Sequence, residues 1–107
     1  MLPILLCFGM VHSQVINKKK LDSLLKNGQN YTALREISAI DTLHIQKSDL
    51  ALFYYYKAKC LAAENNNAKA FQTYLQAKNM YLAIDSLDSA MAINLDIAYF
   101  LSVEKNN

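Results

Sequence analysis

Apolar residues along the chain recur at intervals of three and four positions, the spacing that places them on one face of an α-helix. This pattern predicts five helices, over about residues 18–27, 30–40, 48–64, 68–83 and 85–104. Short polar stretches separate them, and the longest runs from Asp41 to Lys47. The chain holds only two Gly and one Pro, too few turn-forming residues for many short strands. We therefore predict one small all-α domain.

The third predicted helix differs from the others because its apolar residues cover almost its whole circumference. They are Leu50, Leu52, Phe53, Tyr54, Ala58, Cys60 and Leu61. A helix that is apolar on all sides is buried between neighbours, so we expect this one at the centre. The aromatic run from Phe53 to Tyr56 is interpreted as core and binding-surface wall together.

The fourth and fifth helices are predicted to bury one stripe each. On the fourth, the inward residues are Ala70, Phe71, Tyr74, Ala77 and Tyr81, and the water-facing ones are Lys69, Gln72, Thr73, Gln76 and Asn79. On the fifth, the inward stripe is Ala90, Ile93, Ile97, Ala98 and Leu101. Both stripes follow helical spacing.

Turn residues stand at regular positions between the helices. Gly28 ends the first helix, because a left-handed backbone at a helix end costs glycine nothing. The runs that begin at Gly28, at Asn65 and at Lys105 lie 37 and 40 residues apart and are rich in Asn. This interval predicts that a helix pair is repeated along the chain.

The spacing within the central pair resembles a tetratricopeptide repeat (TPR), a helix–turn–helix unit of about 34 residues. Ala58 and Ala70 stand twelve residues apart, Tyr74 follows four residues later and Ala77 three later. Tyr54 and Leu61 occupy the flanking large positions. Weaker matches are Leu21, Leu24, Ala33, Ile37 and Ile40 upstream, and Ala98 and Leu101 downstream. Lys57 and Leu82 depart from the family, which favours Leu and Pro at those places.

The resemblance implies antiparallel helix pairs stacked as a right-handed solenoid. The units would span about residues 17–47, 48–84 and 85–107, the last of them incomplete. Because such arrays need about three units and a capping helix, we expect further repeats beyond Asn107. The alternative is that the fifth helix itself serves as the cap.

A solenoid of this family binds partners in a concave groove lined by the first helix of each unit. By resemblance, the groove positions of the central unit are Leu52, Tyr55, Lys59 and Ala62, and those of the next unit are Leu95, Tyr99 and Ser102. Tyr55, Lys59 and Tyr99 would offer aromatic faces and a cation to an extended peptide or a helix. The Lys and Asn pattern with which some members clamp a terminal carboxylate is not matched.

Charge and candidate chemistry narrow the function further. The formal net charge is only +2, and the basic run Lys18-Lys19-Lys20 has no Arg and no interleaved aromatics, which argues against nucleic-acid binding.

Among candidate chemical groups, His44 stands alone on a polar link. Asp85, Asp88 and Asp96 are explained by helix capping and solvation. Cys60 is expected to be a small buried apolar residue. We expect no catalytic residue, no metal site and no cofactor.

The N-terminal stretch resembles a bacterial export signal. Leu2 to Val11 is apolar, and Val11 and Ser13 fit the −3 and −1 positions of a cleavage site, which makes residues 1–13 the signal. No Lys or Arg precedes the apolar run, and the run is too short to span a membrane. The alternative is a buried first helix, which Pro3 and Gly9 oppose.

Together these patterns favour an exported, periplasmic or extracytoplasmic module that binds a protein or peptide. One version is the N-terminal part of the TPR sensor region of a bacterial histidine kinase or transcriptional regulator. The hypothesis from another class is an enzyme subunit, which no motif in the chain favours.

Overall fold

The computed structural model of the chain describes residues 16–105, with side chains up to residue 103. Within that range it contains five helices and no strand, and each helix begins and ends within two residues of its predicted bounds. They are α1 (Lys18–Lys26), α2 (Asn30–Ser38), α3 (Lys47–Ala63), α4 (Asn67–Ala83) and α5 (Leu87–Lys105). The all-α prediction is confirmed. The predicted export signal, residues 1–13, lies outside the described residues.

Three of the four turns end the preceding helix in the same way. Gly28, Asn65 and Asp85 have positive φ angles of 77°, 63° and 59°. After each of them, the next backbone N–H donates to the carbonyl five residues earlier. This left-handed cap satisfies carbonyls that would otherwise lack a donor at the helix end. Gly and Asn or Asp adopt the required backbone at the least cost, which explains these residue types.

The link between α2 and α3, residues 39–46, is longer and has a different structure. Near its start, the Asp41 Oδ1 forms a local turn by accepting a hydrogen bond from the Leu43 N–H at 3.0 Å. Both His44 and Leu43 are exposed there. His44 therefore lies on an exposed part of the polar link.

Successive helices pack against each other, and the α3–α4 contact is the most extensive. Small residues allow the two backbones to approach, because Ala58, Ala70 and Ala77 are all completely buried. Two apolar clusters form around this pair. The first comprises Ala51, Ala58, Tyr74, Ala77, Tyr81, Ala90 and Ile93. The second comprises Leu21, Ala33, Ile37, Phe53, Tyr56 and Cys60.

Helix α3 contributes residues to both clusters, as expected for a helix that is apolar almost all round. Phe53 and Tyr56 are buried, whereas Tyr54 and Tyr55 are half-buried. The aromatic run is therefore divided between core and surface. No described helix is both long enough and apolar enough to cross a membrane.

Two predicted inward stripes need correction. Thr73 was expected to face water, but it is buried, and its hydroxyl donates to the Lys69 carbonyl at 2.7 Å. This local bond satisfies the hydroxyl and removes the cost of burying it. On α5, Ala90 and Ile93 are buried, whereas Ala98 and Leu101 are exposed, because no helix among residues 16–105 covers that side of α5.

Candidate functional site

A cleft of about 410 Å³ opens between α1, α3 and α5. Its walls are formed by Leu25, Lys59, Ala62, Ala63, Tyr74, Asp96, Tyr99, Phe100 and Val103. All of these except Tyr74 lie on the first helix of a predicted unit. The volume lies within the range of about 300–1,000 Å³ that is typical of ligand pockets.

Aromatic rings and aliphatic side chains make up most of the cleft wall. The ring centroids of Tyr74 and Phe100 are 6.1 Å apart at 57°, and those of Tyr55 and Tyr74 are 6.3 Å apart at 55°. These tilted arrangements are among the favourable geometries for aromatic pairs. Tyr74 is 5% exposed and is held by the core, so it offers the cleft a rigid surface.

Tyr55 connects α3 to α5 at the cleft. Its hydroxyl donates to Asp96 Oδ2 at 2.6 Å, between residues 41 positions apart. Burial raises the pKa of the Tyr55 phenol far above its usual value, and the Asp96 hydrogen bond and charge raise it further. The phenol therefore stays protonated and keeps donating.

The role of Asp96 differs from the prediction, in which capping and solvation explained it together with Asp85 and Asp88. It lies in the middle of α5 and is half-buried, and its Oδ2 accepts a hydrogen bond from the Tyr55 hydroxyl. The reason is tertiary: α5 brings this carboxylate to the α3 surface. The spacing of residues within α5 gives no information about which helix packs against it.

A second hydrogen bond of the same kind connects α3 to α1. The Tyr56 hydroxyl donates to Asp22 Oδ1 at 2.8 Å, between residues 34 positions apart. Burial, followed by the Asp22 hydrogen bond and charge, raises the Tyr56 pKa far above its usual value. Both tyrosine–aspartate bonds thus connect α3 to a neighbouring first helix.

Lys59 provides the cation of the cleft. Its Nζ lies 5.2 Å from the centroid of the Tyr55 ring and 5.3 Å from that of Tyr56, which is within cation–π distance. Among the described side chains the one ion pair is that of Lys20 with Glu36 at 2.9 Å, so Lys59 has no carboxylate partner there. The ammonium thus lies over two aromatic rings and is paired with no described carboxylate.

The predicted groove residues fall into three groups. Lys59, Ala62 and Tyr99 line the cleft. Leu52 and Tyr55 line a smaller cavity of about 190 Å³, although the Tyr55 hydroxyl reaches Asp96. Leu95 and Ser102 are exposed and line neither, and Leu95 is 74% exposed.

The predicted packing residues of the central unit lie where α3 and α4 meet or beside that contact. Ala58, Leu61, Ala70, Tyr74 and Ala77 are buried, and Tyr54 is half-buried against both clusters. Ala98 and Leu101, their predicted counterparts on α5, are exposed.

Sequence reasoning did not assign Leu25, Asp96, Phe100 or Val103 to the groove. Three of these lie on one face of α5, since Asp96, Phe100 and Val103 follow each other at intervals of four and three residues. That face was visible in the sequence. Its position opposite Leu25 depends on how α1 and α5 are placed around α3, which the sequence pattern does not report.

A second depression, of about 470 Å³, lies along α2 and is lined by Thr32, Arg35, Glu36, Ser38 and Ala39. All five residues belong to α2 or its C-terminal end, so it is a surface furrow beside one helix. We prefer the cleft as the site, because several helices enclose it and its wall is largely aromatic and aliphatic.

The thiol of Cys60 does not line the cleft. Cys60 is completely buried, and burial raises the pKa of its thiol to about 11, so it is protonated at neutral pH. Among the described residues no three His, Cys, Asp or Glu side chains are grouped as metal ligands would be. The described cleft wall offers apolar surface, one cation and one hydrogen-bonded carboxylate.

Comparison of the chain with protein-family models, with curated proteins and with solved structures finds no match.

Proposed function

We propose that this chain is a TPR-like binding module, exported from the cell, that holds a peptide or helix of another protein in the cleft between α1, α3 and α5. One observation carries the proposal: the cleft is lined by the first helices of successive pairs. A concave surface of that origin is the binding surface of helical repeat proteins. The complete burial of the small residues Ala58, Ala70 and Ala77 supports the repeat register on which this assignment depends.

The chemistry of the cleft also favours binding of a polypeptide. Tyr99 is 74% exposed, and an aromatic side chain of this kind is a frequent energetic anchor in protein interfaces. Lys59 and Asp96 add one charge of each sign to a mainly apolar wall. A peptide supplies apolar side chains, N–H donors and charged groups together, which matches this wall.

The proposal is tested by selecting peptides from a random displayed library with the folded wild-type chain. The best peptide is then measured against Tyr99→Ala and against Tyr31→Ala, which removes a similarly exposed tyrosine, 67% exposed on α2 and outside the cleft. We expect Tyr99→Ala to weaken binding by about tenfold or more, as loss of an aromatic anchor does. Tyr31→Ala should leave it unchanged.

Two results would contradict the proposal. If the wild-type chain enriches no peptide, the cleft is not a peptide-binding site. If both tyrosine variants bind the selected peptide as the wild type does, the peptide binds elsewhere on the molecule.

A further inference from the structure

Lys59 carries a positive charge in the cleft that no described carboxylate pairs with. Its Nζ contacts the ring faces of Tyr55 and Tyr56, yet it forms no ion pair with any described carboxylate. An ammonium has three hydrogen-bond donors, and ring faces attract the charge without replacing an oxygen acceptor. A ligand that brings a carboxylate to Nζ would provide that acceptor.

Asp96 is the opposite charge in the cleft wall, but its situation differs. One of its oxygens already accepts the short bond from the Tyr55 hydroxyl. Such charge-assisted bonds are about twice as strong as neutral ones, so the Asp96 charge is partly compensated inside the protein. The unpaired cation therefore decides which ligand charge the cleft favours.

The remaining wall selects an apolar group. Leu25, Tyr74, Phe100 and Val103 surround the space with aliphatic and aromatic surface. A volume of about 410 Å³ leaves room for a large side chain together with its backbone. Burying such a side chain removes its apolar surface from water, which favours the complex.

We infer that the cleft recognises an internal peptide segment in which a large apolar side chain lies next to an Asp or Glu. The apolar side chain packs among Leu25, Tyr74 and Phe100, and the acidic side chain pairs with Lys59. The second Asp96 oxygen accepts a backbone N–H of the peptide. This inference rests on the proposed function and adds the chemistry of the partner.

The test repeats the peptide selection with two charge-reversed variants. Lys59→Glu reverses the cation of the cleft. Lys57→Glu makes the same change two residues away on α3, where Lys57 lies 5.8 Å from the Phe53 ring centroid and does not line the cleft. We expect the wild type and Lys57→Glu to enrich acidic residues beside Leu, Ile or Phe. Lys59→Glu should enrich basic residues at the same place.

A coupling measurement keeps the inference testable if Lys59→Glu does not fold. On the wild-type chain, changing the acidic residue of the selected peptide to its amide should weaken binding roughly tenfold to a hundredfold, the loss of one charged hydrogen bond. On Lys59→Gln the same peptide change should have almost no effect, because the partner charge is already gone.

The outcomes separate this inference from the proposed function. Apolar peptides without an acidic preference, basic peptides bound by the wild type, or an equal loss on the wild type and Lys59→Gln would overturn the inference alone. If the wild type enriches no peptide, the proposed function fails with it.

Discussion

Tyr55 and Tyr56 are neighbours on α3, and each donates a hydrogen bond to an aspartate of a different helix. Toward α1, the Tyr56 ring is 3% exposed and belongs to a closed apolar cluster, while its partner Asp22 is exposed. Toward α5, the Tyr55 ring is half-buried, and its partner Asp96 is half-buried in the wall of an open cleft. The same type of tyrosine–aspartate hydrogen bond thus occurs in two interfaces that differ in burial.

The difference shows what each interface depends on. On the α1 side, the ring itself fills the core, and the hydrogen bond reaches a carboxylate that water can also solvate. On the α5 side, less of the ring is buried, and the hydrogen bond compensates a carboxylate with less access to water. Burial of the ring should therefore dominate at Tyr56, and the hydrogen bond should dominate at Tyr55.

The largest expected effect comes from removing each ring. Tyr56→Ala should lower the free energy of unfolding by about 3–5 kcal/mol, because it opens a cavity in a packed cluster. Tyr55→Ala should cost less, since its ring is less completely buried than that of Tyr56. Urea unfolding followed by circular dichroism measures both, and a larger loss for Tyr55→Ala would contradict the comparison.

A substitution on α4 should lower the stability of the packing on both sides of α3, because α4 forms the most extensive contact with α3. Ala70 is completely buried, so Ala70→Leu overpacks the α3–α4 contact and should cost about 1–3 kcal/mol. Gln72→Leu makes the same addition on an exposed position and should change little. Thermal unfolding compares the two, and equal melting temperatures would refute the assigned packing face of α4.

Removing only the hydroxyls should reverse the order of the two tyrosines. Tyr55→Phe leaves Asp96 half-buried without its donor, which should cost about 1.5–3 kcal/mol. Tyr56→Phe leaves Asp22 in contact with water and should cost only about 0.5–1.5 kcal/mol. The same urea experiment measures these losses. Equal losses would mean that the two carboxylates are solvated alike.

The smallest effect is expected from alkaline pH. The unfolded chain releases tyrosine protons near pH 10, whereas the folded pKa values of Tyr55 and Tyr56 are raised far above this. The folded state then binds more protons than the unfolded state, so stability is complete below about pH 10 and falls as pH rises further.

The two phenols can be separated by substitution. Tyr55→Phe and Tyr56→Phe should each make the fall in stability less steep between about pH 10 and pH 11.5. Tyr31→Phe serves as the control, because that side chain is 67% exposed. A slope unchanged in both variants would show that these hydroxyls do not carry the pH dependence.

The helices of this protein could be predicted because each is encoded locally. Apolar spacing gave the extents of all five, and Gly28 and Asn65 marked two turns by their tolerance of a left-handed backbone. The small residues Ala58 and Ala70 indicated where α3 and α4 approach closely. All of this information lies within stretches of a few turns.

The candidate site could be predicted only in part, because it is assembled from three helices. Three of the predicted groove residues, Lys59, Ala62 and Tyr99, line the cleft. Asp96 was given a local role, since the sequence pattern shows its own helix and not the tyrosine 41 residues away. Leu95 was placed in the groove, yet it is 74% exposed and does not line the cleft.

The burial of Cys60 has a further consequence for how the closed side of α3 can be observed. Its thiol is completely covered, and with a pKa of about 11 it is protonated at neutral pH, so a thiol reagent reacts only after solvent has reached it. Cys60 is also the one free cysteine among the described residues. Replacing Cys7 by Ser leaves Cys60 as the single cysteine of the chain. In that variant, the rate at which a thiol reagent modifies Cys60 would report how often the α1–α2–α3 cluster opens, and so it would measure local unfolding.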